Sequence, residues 1–285
     1  MNIIVTGANG QLGRELRELS PLYPDHRFTF IDIDELDLTH ERKTNSFFAT
    51  RPFDVIINCA AYTAVDKAEN ESIIALEMNA KVPGRLAAIA AARGAWIIHY
   101  STDYVFSGLK KKPYTEEDPT QPISIYGATK YKGEQEIRKN TVKGIIIRTS
   151  WLFSPFGTNF VKTILAKARE GNPLRVVCDQ AGTPTYARDL AKMTLDLLPA
   201  FLRKEEVELY HYSNEGDTNW YYFAKKIVSY SGTRCKVSSI YTGDYPTAAI
   251  RPAYAVLGKN KIKNEFGLAI PHWKDSLKYC IGRMI

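Results

Sequence analysis

Residues 2–13 read NIIVTGANGQLG, a β-branched apolar run followed by glycines at positions 7, 10 and 13. Glycines between a strand and a helix let the backbone turn tightly and approach a pyrophosphate, which the free N–H groups of the helix N-terminus attract. A glycine motif alone can be a simple turn. Its place between the first strand and the first helix favours a dinucleotide-binding unit.

The same alternation of strand and helix continues to about residue 150. The apolar runs IIVT, VIIN, WIIHY and GIIIRT have few polar positions, as expected for parallel strands covered on both faces. The pattern predicts an α/β fold with a doubly wound, Rossmann-like parallel sheet. The predicted strands are 2–6, 28–32, 54–58, 95–100 and 144–149, and the predicted helices are 11–20, 40–50, 72–93 and 126–140.

After residue 150 the pattern is looser. It predicts helices at 159–170, 187–198 and 220–231, strands at 174–177 and 208–212, and no regular element from Cys235 onward. We therefore expect a dinucleotide-binding domain at 1–150, to which segments of about 174–212 return. Residues 151–285 are expected to form mainly a smaller, C-terminal substrate-binding lobe.

Composition excludes several classes of protein. The 285 residues are 45% apolar and 24% charged, which is ordinary for a globular protein. No apolar run is long enough to cross a bilayer, and no export signal follows Met1. Four cysteines without a CxxC pair indicate free thiols in a reducing, cytoplasmic setting. The net charge of +7 is scattered and has no nucleic-acid motif, so we expect neither a nucleic-acid nor a membrane partner.

Asp32 ends the second predicted strand, 19 residues after Gly13. A carboxylate there can accept hydrogen bonds from an adenosine ribose, although it can also simply end the strand. It would repel a 2′-phosphate and so favours NAD, but Arg14 and Arg17 in the first helix could offset that repulsion. The choice between NADH and NADPH stays open.

Tyr126 and Lys130 share one helix face in the sequence YGATK. A nearby ammonium stabilises a phenolate and lowers the pKa of the phenol, which suits a tyrosine that gives a proton to an alkoxide. Two further Tyr-x-x-x-Lys pairs begin at Tyr221 and Tyr222, so the spacing alone is weak. Thr102 follows the fourth predicted strand and should meet Tyr126 at the carboxyl ends of the strands, unless it only caps a turn.

Together TGANGQLG, the acidic end of strand two, STDYVF and YGATK resemble the extended short-chain dehydrogenase/reductase superfamily. More narrowly, the chain resembles the dTDP-4-dehydrorhamnose reductase family over nearly its whole length. That resemblance rests on GQLGREL, DVIINCAAYTAVDKAE (54–69), HYSTDYVFSG (99–108), YGATKYKGE (126–134), RTSWLF (148–153), DQAGTPTYARDLA (179–191) and YPTAAIRPAYAVL (245–257).

The resemblance implies NAD(P)H-dependent reduction of the 4-keto group of dTDP-4-dehydro-6-deoxy-L-mannose to dTDP-L-rhamnose. It makes Tyr126 the proton donor. Lys130 would hold the nicotinamide ribose and lower the pKa of the Tyr126 phenol, and Thr102 would assist Tyr126 in catalysis. The implied cofactor residues, some shared with catalysis, are Gly7, Gly10, Gln11, Leu12, Asp32, Asp37, Leu38, Ala61, Tyr62, Thr63, Tyr126 and Lys130. The implied substrate residues are Val65, Thr102, Asp103, Tyr104, Trp151 and Arg251, of which Trp151 could instead be a core aromatic.

The chain departs from the family pattern at some positions. Ile250 and Ala255 stand near the Arg-Pro step of residues 251–252, where the family often has serines. Some members dimerise through a metal held by glutamates. Glu15 matches one of these positions, but Arg188 stands at another, so we expect no such metal. A homodimer remains an expectation without a decisive apolar patch to support it.

Two rival functions remain open. One is another nucleotide-sugar reductase or an epimerase, which would return the hydride to the sugar. The other is a non-catalytic, dinucleotide-binding regulatory subunit of the methionine adenosyltransferase type, because a scaffold and its site can persist without turnover.

Overall fold

A computed structural model describes residues 1–284, in which strands and helices alternate. The strands are β1 (Asn2–Thr6), β2 (Arg27–Ile31), β3 (Val55–Asn58), β4 (Trp96–Thr102), β5 (Gly144–Thr149), β6 (Leu152–Phe153), β7 (Leu174–Val177), β8 (Ala181–Gly182), β9 (Thr185–Tyr186), β10 (Glu208–His211), β11 (Thr218–Asn219) and β12 (Val237–Ile240). The helices are α1 (Gln11–Leu19), α2 (Glu41–Ala49), α3 (Val65–Ala68), α4 (Ser72–Leu76), α5 (Val82–Ala92), α6 (Ile125–Asn140), α7 (Phe160–Arg169), α8 (Ala187–Phe201), α9 (Trp220–Tyr230), α10 (Asn260–Phe266) and α11 (Trp273–Gly282).

Six parallel strands form the main sheet in the order β10-β5-β4-β3-β1-β2. Its residues alternate between two hydrophobic cores. Ile3 and Ile57 pack with α1 and α8 on one face, whereas Ile4 and Ile56 pack with α2 and α5 on the other. The predicted doubly wound α/β sheet is therefore confirmed. The strand order reverses between β1 and β3, which is where such sheets bind ligands.

The helix predicted at 72–93 is wrong in one respect, because it is not continuous. A π-helical turn, Glu77–Lys81, separates α4 from α5. Pro83 has no N–H to donate to the Asn79 carbonyl one turn back, and the backbone N–H of Val82 instead donates to Glu77 O. The interruption places Asn79 inside the fold, where its side chain is fully buried.

The second half of the chain forms short two-stranded sheets, β7 with β12, β8 with β11 and β6 with β9. Helices α7, α9 and α11 share a third core with them, around Phe223 and Leu277. The irregular tail predicted from Cys235 onward is wrong, since β12, α10 and α11 lie there. The buried positions 273, 277, 280 and 281 of α11 do have helical spacing, within a stretch rich in Tyr and Lys.

Some segments after residue 150 pack with the main sheet, and others belong to the short two-stranded sheets. Helix α8 packs in a core of the main sheet and β10 is the edge strand of that sheet, whereas β7 pairs with β12. The division of the chain at residue 150 into two domains stays a prediction. Among residues 1–284, no helix combines the length and the apolar character that a membrane span needs.

Candidate active site

A cleft of about 510 Å³ opens at the carboxyl ends of β1, β3, β4 and β5. It brings together residues from the glycine loop, the segment after β3, the end of β4 and the start of α6. Twelve of the predicted site residues line it: Gly10, Gln11, Leu12, Ala61, Thr63, Val65, Thr102, Asp103, Tyr104, Tyr126, Lys130 and Trp151.

The glycine loop packs tightly beneath this cleft. Gly7 has a φ of +65°, and a Cβ atom there would lie 2.5 Å from the backbone nitrogen of Ala60. A Cβ atom at Gly13 would lie 2.3 Å from Gly7 O, so the first turn of α1 also needs a glycine. The close approach of β1, α1 and the segment after β3 leaves the N-terminus of α1 facing the cleft, with Gly10, Gln11 and Leu12 in its lining.

Five predicted cofactor residues lie outside the lining of the cleft. Asp32 accepts hydrogen bonds from the backbone nitrogens of Asn9 and Ile33, at 2.7 and 2.8 Å, and so braces the glycine loop. Leu38 is part of the core below α2. The set is Gly7, Asp32, Asp37, Leu38 and Tyr62.

Asp37 and Tyr62 have local partners. The Asp37 carboxylate accepts hydrogen bonds from the Thr39 hydroxyl and backbone nitrogen, and these bonds lower the pKa of Asp37. The phenol of Tyr62 donates to Glu71 at 2.6 Å, while its backbone is held by Asn79. Their side chains therefore stabilise the turns next to the cleft.

Tyr126 lies in the first turn of α6, which Ser124 caps by accepting a hydrogen bond from Gly127 N at 3.1 Å. The ring of Tyr104 meets Tyr126 edge to face, with the centroids 5.6 Å apart. Burial raises the pKa of Tyr126 to about 12, and a hydrogen bond with the Thr102 side chain acts in the opposite direction. The phenol is therefore protonated at neutral pH, as a proton donor must be.

Lys130 is almost fully buried one turn further along α6. Its Nζ donates to the carbonyl oxygen of Tyr100 at 2.6 Å and lies 3.2 Å from Nε2 of His99. Burial lowers the pKa of Lys130 to about 8. Burial dominates the pKa of Tyr126, and the Lys130 amino group is directed at β4, so a lowering of the phenol pKa by Lys130 stays a prediction.

Thr102 and Asp103 stand at the end of β4. The Thr102 hydroxyl donates to Asp103 Oδ1 at 3.0 Å and accepts from the backbone nitrogen of Tyr104. Burial raises the pKa of Asp103 to about 7, and its Oδ2 has no partner within residues 1–284. The cleft thus contains, beside Tyr126, the buried Asp103 carboxyl group, whose Oδ2 atom is available to accept a hydrogen bond.

Trp151 is the one non-glycine residue of positions 1–284 with a positive φ, of 46°. Its ring stacks on Trp220 with the centroids 3.5 Å apart, and the indole N–H of Trp220 donates to Gln180. A Cβ atom at Gly182 would lie 2.5 Å from the Trp151 ring. The two indoles form one wall of the cleft.

Arg251 lies in an adjoining cavity of about 630 Å³, which shares Thr63, Val65 and Tyr104 with the cleft. Its guanidinium group forms two hydrogen bonds with the Asp66 carboxylate, at 3.0 and 2.7 Å. This pair connects the segment around Arg251 to α3 in the lining of the cavity.

Glu15 faces no metal-binding partner. Its fully buried carboxylate accepts two hydrogen bonds from Arg283, both 2.9 Å, one from Arg188 at 3.2 Å and one from Ser154 at 3.0 Å. Two guanidinium groups supply the positive charge there, so these residues do not fit a divalent cation. Within residues 1–284 no group of three or more His, Cys, Asp or Glu side chains is arranged to hold a metal.

Several residues of the cleft escaped the sequence analysis. Asn58 had a signal, since it is a polar residue that ends an otherwise apolar strand at the ligand edge of the sheet. Trp220 had none, because only folding brings it to Trp151. The residues missed include Asn58, Cys59, Ser101, Thr149, Ser150, Gly157, Thr158, Asn159, Leu190 and Trp220.

Comparisons with known proteins cover the whole chain. The family model described as "RmlD substrate binding domain" matches residues 1–285. A dTDP-4-dehydrorhamnose reductase of Burkholderia thailandensis is 37% identical over 302 residues, covering 100% of this chain and 99% of the relative.

Two solved structures are similar over their whole length. The dTDP-4-dehydrorhamnose reductase of Clostridium acetobutylicum has a TM-score of 0.95 and 39% identity, covering 100% of this chain and 99% of that one. The Bacillus anthracis enzyme, in complex with NADP, has a TM-score of 0.94 and 38% identity, covering 99% of both chains. This chain therefore belongs to the RmlD family of dTDP-4-dehydrorhamnose reductases.

Proposed function

We propose that this chain reduces the 4-keto group of dTDP-4-dehydro-6-deoxy-L-mannose with NAD(P)H and so produces dTDP-L-rhamnose. The observation that carries the proposal is the single cleft that unites the glycine loop, Thr102, Tyr126 and Lys130. Relatives that bear the name of this activity share the full length of the chain.

The glycine loop fits a dinucleotide. The closeness of Gly7 to Ala60 leaves no room for a side chain, and the N-terminus of α1 faces the cleft. Gly10, Gln11 and Leu12 would hold the pyrophosphate, while Asp32, Asp37 and Leu38 would lie beside the adenosine. Ala61, Tyr62 and Thr63 would line the cofactor after β3.

NAD(P)H supplies the hydride that goes to carbon 4 of the sugar. Tyr126 gives its phenolic proton to the oxygen atom of the former carbonyl and then takes a proton from solvent. Thr102 steadies the same oxygen, and Lys130 positions the nicotinamide ribose. The chain's main task is to hold the carbonyl beside Tyr126.

The substrate would extend from the cleft into the adjoining cavity. Val65, Thr102, Asp103, Tyr104 and Trp151 would contact the deoxysugar. Arg251 would face the diphosphate, with Asp66 holding its guanidinium group in place. The cavity shares Tyr104 with the cleft and so offers space for a nucleotide attached to the sugar.

The test is oxidation of NADH and, separately, NADPH, followed by absorbance in a coupled assay that generates the keto sugar. Tyr126→Phe should lower turnover on the order of 10²–10⁴-fold, the usual size of a general-acid contribution. Tyr222→Phe is the matched control, since Tyr222 belongs to a Tyr-x-x-x-Lys pair but lies outside the cleft.

Turnover of Tyr126→Phe within a few-fold of the wild type would contradict the role of Tyr126. Dinucleotide binding without oxidation of either cofactor would favour another nucleotide-sugar substrate or a non-catalytic regulatory subunit. A faster reaction with one cofactor than with the other would define the preference that Asp32, Arg14 and Arg17 leave open.

A further inference from the structure

A chain of buried polar side chains runs behind the cleft and ends at Lys130. Thr6 donates to Asn58 Oδ1 at 2.7 Å, Nδ2 of Asn58 lies 3.0 Å from Nδ1 of His99, and Nε2 of His99 lies 3.2 Å from Lys130 Nζ. His99 is fully buried between the two. The protonation of its ring therefore affects both neighbours.

The orientation of Asn58 is determined by the backbone. The N–H of Ala60 donates to Asn58 Oδ1 at 3.1 Å, and a backbone N–H can only donate. The Asn58 oxygen therefore faces Ala60, and its NH₂ group must face His99. Because the NH₂ group donates, Nδ1 of His99 has to be the unprotonated nitrogen of the ring.

A neutral imidazole carries one hydrogen atom, which is consequently on Nε2 and directed at Lys130 Nζ. An ammonium group at that distance would place two donors against each other. A neutral amine would instead accept from His99 and still donate to Tyr100 O. The geometry thus stabilises the amine form of Lys130 relative to that of an exposed lysine.

We propose that His99 is a positioning residue whose Nε2–H, directed at Lys130 Nζ, shifts the equilibrium of Lys130 towards its neutral amine and sets where Nζ lies at the back of the cleft. The inference rests on the proposed reductase activity for its catalytic consequence. The Nε2–H of His99 and the Tyr100 carbonyl would set where Nζ lies, and Asn58 would set the tautomer.

The surroundings of Lys130 are consistent with this role. Glu134, one turn later on α6, is paired with Arg148 through bonds of 2.9 and 2.7 Å and accepts a hydrogen bond from Ser101. Its charge is therefore largely engaged away from Lys130. The other titratable groups nearby are Cys59 after β3, Tyr126 on α6 and Asp103 after β4.

Burial holds the pKa of His99 well below its usual value, and the charge of Lys130 in its ammonium form lowers it further, so the ring stays neutral. Burial also lowers the pKa of Lys130 to about 8, against a smaller opposing influence of Glu134 and Cys59. Lys130 therefore loses its proton at a lower pH than an exposed lysine does. Catalysis that needs its ammonium form would decline as the pH rises through that range.

The first test is ¹⁵N NMR of the wild-type protein labelled in its histidine rings, which requires no substrate. His99 should have a bare Nδ1 and a protonated Nε2 from pH 6 to pH 9. His211 is an internal reference of the opposite tautomer, because its Nδ1 faces the Tyr114 carbonyl at 3.1 Å. A protonated Nδ1 or a doubly protonated ring at His99 would overturn the proposal.

The second test is His99→Asn, whose shorter side chain can still accept from Asn58 but removes the N–H that faces Lys130. The ¹³Cε resonance of Lys130, assigned by its loss in Lys130→Met, should titrate about one pH unit higher in His99→Asn. The basic limb of the kcat/KM profile should move by the same amount, whereas a purely structural residue would lower kcat without moving it.

An unchanged titration of Lys130 in a folded His99→Asn protein would also contradict the proposal. If the variant does not fold, the tautomer measured in the wild type still decides it. Both NMR measurements are made without keto sugar or cofactor. Failure of the reductase assay would therefore leave them intact and would count against the proposed function alone.

Discussion

Some single residues of this protein are required by close contacts with distant parts of the chain, which the local sequence pattern does not show. Gly7 combines a positive φ with a neighbour, Ala60, from the end of a different strand. A turn needs only the first feature, but a side chain at this position would also push β1 away from the segment after β3. The three-glycine motif thus reflects packing between elements as much as the path of the turn.

Gly7→Ala and Gly171→Ala separate these two effects. Both glycines have a positive φ, but a Cβ atom at Gly171 meets nothing within 4 Å. We expect Gly171→Ala to cost about 1 kcal/mol of backbone strain and Gly7→Ala at least about 2 kcal/mol more. Urea unfolding measures both, and equal losses would show that the contact with Ala60 relaxes freely.

Gly7→Ala should also weaken NADPH binding in a fluorescence titration, whereas Gly171→Ala should leave it unchanged. Gly171 lies after α7, outside the cleft.

At the scale of elements, the π-helical turn between α4 and α5 connects the cofactor side of the cleft with α6. The buried Asn79 accepts from Tyr62 N at 2.9 Å and donates to Tyr62 O and to the Thr129 hydroxyl. A regular helix through residues 77–81 would rotate Asn79 away from these partners. Pro83 therefore helps to position the segment 60–63 as well as to interrupt the helix.

Asn79→Ala removes all three hydrogen bonds and leaves the backbone groups of Tyr62 without partners. We expect a loss of about 2–3 kcal/mol in the free energy of unfolding and a higher Kd for NADPH, because Ala60, Ala61 and Thr63 line the cleft on either side of Tyr62. Urea unfolding and fluorescence titration measure the two quantities.

Asn45→Ala on the exposed part of α2 is the control and should change stability by less than about 0.5 kcal/mol. An Asn79→Ala protein as stable as this control would show that water replaces the lost hydrogen bonds.

At the scale of the whole molecule, long-range contacts join the late segments to the sheet. Arg283 near the C-terminus binds Glu15 of α1, and Arg251 of the tail binds Asp66 of α3. His211 of β10 is buried against Phe106 and Tyr114, which lie between β4 and α6. These contacts bury titratable groups that the unfolded chain exposes, so stability depends on pH.

Burial, together with the charge of Arg148, lowers the pKa of His211 to about 3. Between that value and the ordinary histidine pKa of about 6.5 the unfolded chain binds a proton that the folded chain does not, so acidification destabilises the fold. The contribution of His211 should fall by about 1.4 kcal/mol per pH unit below pH 6.5. Asp103, with a pKa raised to about 7, opposes this trend.

The difference between the wild type and His211→Gln isolates the effect of His211 from that of Asp103. Unfolding free energies measured from pH 7 to pH 5 should show the wild type losing stability faster than the variant. Asn45→Ala, at an exposed position, removes no titratable group and should keep the slope of the wild type. Parallel curves for the wild type and His211→Gln would contradict a neutral, buried His211.

The sequence by itself determined the doubly wound sheet. The local pattern of apolar residues shows that the strands are buried on both faces and the helices on one. It also determined the glycine loop and the placement of Tyr126, Lys130 and Thr102 in one cleft. Thr102 ends β4, and α6 with Tyr126 and Lys130 begins in the connection from β4 to β5. The carboxyl ends of parallel strands meet at one edge of the sheet. Families that share such stretches can be recognised from them.

Tertiary structure alone decided where side chains point and what they bind. It directed Lys130 to His99 and Tyr100 rather than to the phenol, stacked Trp220 on Trp151, and engaged Arg251 with Asp66. Each outcome depends on partners 30 to 185 residues apart in the chain. The spacing of residues along the chain does not predict such pairs. They form because the sheet and helices pack together and their buried polar groups then need hydrogen-bond partners.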